Sequence, residues 1–240
     1  MKKPLKDRKS MLVIRMLAPI NKFAVARHFA GLEIVGAENL PSGRAFLLVA
    51  NHTTRWDPSV VQVVLDRPAN YMTSPNELRG WQGRLLPSVG SFPADPRKDL
   101  VTFAREQALR GEPIVVFPEG DIKRDGTTHQ FKTGAAKIAL HCASSGIDLP
   151  IVPMAIRYAP GKKERVQIMI AQAIDPNEYL DDFATDPLHA QRALATRMHR
   201  EVCHLRVSLG ELGDRDTVFT GKPVRAWMPR LLPSTRELSV

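Results

Sequence analysis

Residues 45–65 read AFLLVANHTTRWDPSVVQVVL, and this stretch decides the fold of the surrounding chain. Its first six residues are all apolar, which is typical of a strand buried on both faces of a sheet. Asp57 and Pro58 then make a favourable helix start, so a helix is predicted over residues 58–66. His52 and Asp57 are thereby placed at the carboxyl end of a buried strand, where the two side chains can converge on one proton.

The spacing of His52 and Asp57 is weak support for a catalytic pair when taken alone. The chain has seven histidines, so at least one such pair arises by chance roughly a third of the time. The alternative interpretations are that His52 is a structural loop residue and that Asp57 is only a helix N-cap. Asp57 can, however, cap a helix and orient a catalytic histidine at the same time. Other parts of the sequence have to decide between them.

Outside this stretch, apolar runs that suit strands alternate with segments of helical periodicity. Such alternation predicts an α/β fold, with a mixed, largely parallel central sheet flanked by helices. The predicted strands are 31–35, 45–50, 70–73, 113–117, 149–156 and 165–174. The predicted helices are 58–66, 75–86, 99–110, 133–145 and 187–209, and residues 90–98 are predicted to be a loop.

The formal charge of +9 lies at the two ends of the 240-residue chain. Residues 1–30 contain eight Lys or Arg and one acid, residues 220–240 contain four and one, and the body, 31–219, is close to neutral at −1. A neutral body argues against a nucleic-acid platform, and 43% apolar content suits one domain with appendages. The predicted division is a basic N-terminal segment (1–30), one α/β domain (31–219) and a basic C-terminal tail (220–240).

The N-terminal segment has the composition of a membrane-contacting helix. Residues 11–30 mix apolar residues with Arg15, Lys22 and Arg27, and they follow five basic residues between positions 2 and 9. This pattern predicts a basic amphipathic segment on an anionic membrane surface, with Pro19 kinking or splitting the helix. The alternative is an ordinary helix packed on the domain.

Cysteine usage and hydropathy indicate where the protein works. Two cysteines, Cys142 and Cys203, and an N-terminus unlike a signal peptide predict a disulfide-free protein of the cytoplasm. No apolar run approaches the roughly 18–20 residues that cross a bilayer. Peripheral attachment to the cytoplasmic face of a membrane is therefore predicted. Neither a metal nor a redox cofactor is predicted, because no histidines or cysteines have metal-ligand spacing.

A second polar loop follows another predicted buried strand. The sequence FPEG at residues 117–120 ends the apolar run that begins at residue 113, and a third, turn-rich loop carries Arg97. Loops at the carboxyl ends of parallel strands gather at one crevice, so Glu119 is expected near His52. Arg97 is a candidate to join them.

Four blocks of this sequence together resemble the glycerolipid acyltransferases typified by 1-acylglycerol-3-phosphate acyltransferase. They are NHTTRWD at residues 51–57, GSFPADPR at 90–97, FPEG at 117–120 and IVPMA at 151–155. They occur in the family's order, and the resemblance extends over residues 31–160. It identifies the α/β domain as an acyltransferase domain.

The resemblance implies direct transfer of a fatty acyl group from acyl-CoA or acyl carrier protein to the hydroxyl of a lysophospholipid, without a covalent acyl-enzyme. The typical acceptor is 1-acylglycerol-3-phosphate, which becomes phosphatidate. His52 would be the general base, and Asp57 would orient its ring and stabilise the imidazolium that forms. No cofactor is implied, since the acyl donor is itself a substrate.

Further residues are expected at the substrate. In the family, the arginine of the second block and the glutamate and glycine of the third bind the acceptor headgroup, which carries over to Arg97, Glu119 and Gly120. Asn51 and the neighbouring loop amides are expected to hold the loop or to stabilise the developing oxyanion. Arg124 is a further candidate for a headgroup cation.

Two departures from the family pattern bear on the acceptor. Pro96 stands between Asp95 and Arg97, where the family usually has Asp directly before Arg. Residues 121–124 read DIKR instead of the common Thr-Arg-Ser-Arg, so an isoleucine replaces one cation and the two basic residues after it are left to compensate. One rival hypothesis is therefore a different lysolipid, glycolipid or aminolipid acceptor. A second rival is a membrane-binding scaffold without catalysis.

Overall fold

The computed structural model describes residues 2–122 and 127–214, with side chains as far as residue 210. The strands of its sheet are β1 (Gly31–Val35), β2 (Leu47–Ala50), β3 (Asn70–Thr73), β4 (Ser91–Pro93), β5 (Ile114–Val116), β6 (Ile151–Ala159) and β7 (Arg165–Ile170). The helices are α1 (Met11–His28), α2 (Asp57–Leu65), α3 (Gln82–Ser88), α4 (Leu100–Leu109), α5 (Gly134–Ala143), α6 (Leu180–Thr185) and α7 (Pro187–Asp214).

These strands form one sheet in the order β1-β7-β6-β2-β5-β3-β4. Neighbouring strands are parallel except for β6 and β7, which are antiparallel. The predicted mixed, largely parallel sheet flanked by helices is therefore confirmed. β2 lies between β6 and β5 and is parallel to both, so the loop after β2 leaves the same edge of the sheet as the loop after β5.

Alternate side chains of the strands build a hydrophobic core on each face of the sheet. Leu47 and Val49 belong to the core that α4, α5 and α7 cover, whereas Leu48 and Ala50 belong to the core shared with α1 and α2. All four residues are fully buried. Burial on both faces explains why the sequence of β2 is continuously apolar rather than alternating.

The N-terminal segment packs on the domain. Lys3 forms an isolated parallel bridge with Lys98, and the ammonium of Lys9, whose side chain is buried, contacts Glu112 and Asn70. Burial lowers the pKa of Lys9. One of the basic residues assigned to the membrane in the sequence is therefore used inside the protein. No helix among residues 2–122 and 127–214 has the length and apolar character of a membrane span.

Pro19 lies inside α1, which continues through it as a single helix from residue 11 to residue 28. The expected split at Pro19 is therefore wrong, whereas the expected kink stays a prediction. Contacts with α2 hold the helix on the domain, and just beyond the proline the Asn21 side-chain amide donates to the Ser59 carbonyl oxygen (2.9 Å). Tertiary packing here outweighs the loss of one backbone donor.

The structure also contains elements that the sequence pattern missed. The predicted loop 90–98 includes the three-residue strand β4, and α6 was not predicted. Both elements are too short to show a hydrophobic period. The predicted basic tail, 220–240, lies outside the described residues.

Candidate active site

His52 and Glu119 meet at the edge of the sheet where β2 and β5 end. β2 ends at Ala50 and β5 at Val116, and the two strands are hydrogen-bonded neighbours. The backbone amide of His52 donates to Glu119 Oε1 (2.9 Å). The expected proximity of the two loops is therefore present in the structure.

His52 and Asp57 form a hydrogen-bonded pair across the turn between β2 and α2. The distance from His52 Nδ1 to Asp57 Oδ2 is 2.8 Å. The same oxygen accepts the backbone amides of Thr53 (2.7 Å) and Thr54 (2.9 Å), so Asp57 orients the histidine and holds the turn before α2. The expected N-cap role is not found, because α2 begins at Asp57 itself and has no side-chain capping hydrogen bond. Asp57 is fully buried, whereas the His52 side chain is 17% exposed. The pair therefore opens to solvent through the imidazole.

The acceptor role of Asp57 fixes the tautomer of His52. A carboxylate oxygen that already accepts two backbone amides can only accept at Nδ1, so Nδ1 carries the hydrogen and Nε2 presents a lone pair. In the part of the chain that the structure describes, Nε2 contacts no hydrogen-bond partner. This arrangement is suited to removing a proton from a hydroxyl group.

The second oxygen of Asp57 is also hydrogen-bonded. Asp57 Oδ1 accepts the Tyr158 hydroxyl (2.5 Å), and the Thr54 hydroxyl oxygen lies 3.2 Å from the same carboxylate oxygen. Burial, together with the adjacent Asp57 carboxylate, raises the pKa of Tyr158. The phenol therefore keeps its proton and acts as the donor in this contact.

Phe117 lies against the imidazole of His52. The two rings are stacked, with centroids 4.5 Å apart and an interplanar angle of 23°. This contact holds the ring in one orientation and shields one of its faces from water. Phe117 belongs to the third block, but the sequence pattern indicated no role for it.

Glu119 ties two loops together. Its side chain is buried, and while Oε1 accepts the amide of His52, Oε2 accepts the amide of His129 (2.9 Å). The loop that carries His129 is held in turn by α7, because Arg206 donates to the Thr128 hydroxyl (2.6 Å). Since both Glu119 oxygens already bind backbone amides, this geometry suits positioning of the loops better than direct contact with a headgroup.

Asn51 is engaged in the same way. The residue is fully buried, its side-chain amide donates to the Ile156 carbonyl oxygen (2.9 Å), and its side-chain oxygen accepts the Ile156 amide (2.8 Å). Of the two roles considered, holding the loop therefore fits this geometry. The backbone amides of residues 52–54 are likewise used by Glu119 and Asp57 rather than left free for an oxyanion.

Gly120 has a left-handed backbone conformation (φ 82°), which favours glycine. The end of the Lys132 side chain lies over its Cα, so an added Cβ would collide with the ammonium. Lys132 is exposed and has no acidic partner among residues 2–122 and 127–210. A cation that sequence reasoning missed therefore lies beside the third block.

Arg97 lies on the loop after β4, which is the outermost strand on the opposite side of the sheet from β1. Its guanidinium donates from Nε and Nη2 to both oxygens of Asp95, and this pairing lowers the pKa of that carboxyl. Its side chain is 85% exposed. Within the described residues, no hydrogen bond or ion pair joins Arg97 to His52, Asp57 or Glu119.

Two remaining predictions are not decided by this geometry. Arg124, the other candidate headgroup cation, lies outside the described residues. Among residues 2–122 and 127–214 no three His, Cys, Asp or Glu side chains are grouped as metal ligands. The prediction of no cofactor stays a prediction.

The chain is similar in sequence to known acyltransferases. The Acyltransferase family model matches residues 31–157. The 1-acyl-sn-glycerol-3-phosphate acyltransferase of Chlamydomonas reinhardtii is 27% identical over 191 residues, which are 72% of this chain and 55% of the relative. The protein of the same name from Borreliella burgdorferi is 29% identical over 124 residues, 48% of this chain and 50% of the relative. The chain thus spans about half the length of these curated relatives.

The fold is also found in a solved structure. The crystal structure of the 1-acyl-sn-glycerophosphate acyltransferase of Thermotoga maritima superposes with a TM-score of 0.62 and 19% identity, covering 85% of this chain and 81% of that one. At this level of identity the likeness shows the fold. The four-block resemblance is confirmed by the match of the family model to more than half of the chain, and the chain therefore belongs to the acyltransferase family.

Proposed function

We propose that this protein transfers a fatty acyl group from acyl-CoA or acyl carrier protein to the free hydroxyl of a lysophospholipid, with 1-acylglycerol-3-phosphate as acceptor and phosphatidate as product. The observation that carries the proposal is the pair of His52 and the buried Asp57, with Nε2 of His52 left open at the sheet edge. Its support is the family of the chain and the activity for which the two curated relatives above are named.

In the proposed reaction, His52 Nε2 takes the proton of the acceptor hydroxyl as that oxygen attacks the carbonyl carbon of the thioester. A carbon–oxygen bond forms, the carbon–sulfur bond then breaks, and the imidazolium returns its proton to the departing sulfur. Asp57 stabilises the imidazolium between these two steps. The acyl group passes directly from donor to acceptor, so no residue of the protein is acylated.

The acceptor headgroup would be bound by cations beside the third block. Lys132 brings an ammonium over Gly120, next to the glutamate that contacts the His52 amide. An ammonium at this position suits a phosphate, although it lacks the paired geometry of a guanidinium. One observation favours a different acceptor: Arg97 is paired with Asp95 and makes no contact with the His52 pair in the described residues.

A panel of acceptors tests the proposal. The purified protein is given equal amounts of lysophosphatidate, lysophosphatidylcholine, a glycolipid and an aminolipid, with labelled acyl-CoA and acyl carrier protein in parallel. We expect phosphatidate as the main labelled product. Main labelling of another lipid would show that the acceptor is wrong, and liposome binding without any labelled product would support the non-catalytic scaffold.

The proposal includes peripheral attachment to the cytoplasmic face of a membrane through α1. Leu12, Met16, Ile20 and Phe23 are between 59% and 70% exposed. At four-, four- and three-residue intervals they lie on one face of the helix. Exposed basic residues, Arg15 and Arg27 among them, accompany this apolar stripe, which suits an anionic interface.

Replacing Leu12, Met16 and Phe23 together with serine is expected to weaken binding to anionic vesicles roughly a hundredfold, because three side chains lose their burial in the bilayer. Co-sedimentation with vesicles measures this change. Point substitutions are preferable to deletion of the segment, since residues 2–28 also pack on the domain.

The matched control replaces three exposed apolar residues elsewhere, Leu109, Leu188 and Val207, with serine. The control is expected to bind like the unaltered protein. Equal binding by both triple variants would show that α1 is not the membrane-contacting surface.

A further inference from the structure

The reaction proposed above uses only one oxygen of Asp57. Oδ2 faces the imidazole, whereas Oδ1 points to Tyr158 and Thr54. The contact from the Tyr158 hydroxyl is the shorter of the two, at 2.5 Å against 3.2 Å. A short hydrogen bond from a neutral phenol to a buried carboxylate is charge-assisted and therefore stronger than a hydrogen bond between two neutral groups. Nothing in the His52 chemistry requires it, so its presence needs a reason.

Tyr158 is held in place by its own strand and by the end of the N-terminal segment. It lies on β6, two residues after Ile156. The backbone amide and carbonyl oxygen of Ile156 are both hydrogen-bonded to the Asn51 side chain. Its ring packs against Phe29, with centroids 5.4 Å apart, and the Thr54 hydroxyl donates to its oxygen (3.1 Å). The phenol therefore has little freedom to leave Asp57.

We propose that Tyr158 is a positioning residue for the acyl-transfer site, acting through Asp57 on His52. Its hydroxyl fixes the plane of the carboxylate so that Oδ2 stays aimed at Nδ1. It also takes up part of the carboxylate charge. This inference rests on the proposed role of His52 as base.

The inference predicts the direction of a change in the pH dependence. Without the phenol, the negative charge on Asp57 is less stabilised, so the His52–Asp57 pair takes up its proton at higher pH, whichever atom holds it. The other titratable groups facing this region are Glu119 behind the His52 amide, His28 stacked on Trp56, and Glu164 near Tyr158. All of them remain when only the hydroxyl is removed.

The test compares Tyr158→Phe with a matched control, Tyr71→Phe. Tyr71 is buried and, like Tyr158, donates its hydroxyl to one side chain, Gln62 (3.0 Å), but it has no contact with Asp57. For Tyr158→Phe we expect kcat to fall roughly tenfold with KM nearly unchanged, since a hydrogen bond to a charged group is lost away from the substrate. The acid limb of the kcat profile should move to higher pH. The control should show neither effect.

A second variant keeps the packing and the hydroxyl. With 3-fluorotyrosine at position 158 the phenol is a stronger donor, so the acid limb should move to lower pH, the opposite direction. A Tyr158→Phe protein with the kcat and pH profile of the control would overturn the inference, as would an unmoved profile with 3-fluorotyrosine. His52→Ala is measured alongside, because turnover by that variant would show instead that the proposed base is wrong.

Discussion

Replacing His52 with alanine is expected to lower kcat about 10⁴-fold, the upper end of what a positioned general base contributes. The substitution removes Nε2, which is open at the sheet edge and belongs to a ring oriented by Asp57. The fold should survive, because the anchors of the loop are the backbone amide of residue 52 and the Asn51 side chain, and both remain. The measurement is the initial rate of labelled acyl transfer at saturating substrates.

The control for this prediction is His204→Ala, an exposed histidine on α7. It should retain full activity. If the His52 variant kept more than a tenth of the unaltered rate while its circular dichroism spectrum was native, another group would have to be the base.

Replacing Asp57 with asparagine is expected to lower kcat about a thousandfold, which corresponds to the loss of one charge about 4 Å from the imidazolium at an effective dielectric constant of about 20. Geometry should change little. The asparagine oxygen can occupy the Oδ2 position, where it accepts His52 Nδ1 and the amides of Thr53 and Thr54. Its amide nitrogen then faces Tyr158, whose hydroxyl can rotate to accept. The variant therefore separates the effect of the Asp57 charge from the effect of the His52 ring orientation.

Asp66→Asn is the matched control, since Asp66 lies at the other end of α2 and is exposed. Asparagine also tolerates the left-handed backbone of that position (φ 46°). Its activity should equal that of the unaltered protein. An Asp57→Asn variant within threefold of that activity would mean that the carboxylate charge does not assist the reaction.

The pairing of His52 with Asp57 was predictable because it is local. A strand, a turn and a helix start within seven residues place the two side chains together, whatever the rest of the chain does. Glu119 was also predictable, because neighbouring parallel strands end at one sheet edge. Its two backbone acceptor contacts were not, since they depend on how the loop that carries His129 folds back.

Tyr158 shows why other site residues escape the sequence. Its contact with Asp57 spans 101 positions and depends on the register in which β6 pairs with β2. A tyrosine in a strand looks like an ordinary packing residue. Lys132 is similar, because its position over Gly120 depends on the entry of the chain into α5.

The N-terminal segment combines both interpretations that the sequence left open. One face of α1 packs on α2, as an ordinary helix would, and the other exposes the apolar stripe. The composition of the segment does not show how its apolar residues are divided between these two faces. The role of Arg97 at the headgroup stays a prediction, because its partner in the structure is Asp95.

The central claim is tested most directly by a single-turnover experiment with the purified protein, a labelled acyl donor and lysophosphatidate. Lipid and protein fractions are separated at successive times, and the label in each is counted. We predict that the label passes from the donor to the free hydroxyl of the acceptor, giving phosphatidate, with no labelled protein at any time. Label that accumulates on the protein, or that stays on the donor while lysophosphatidate is bound, would contradict direct transfer by His52.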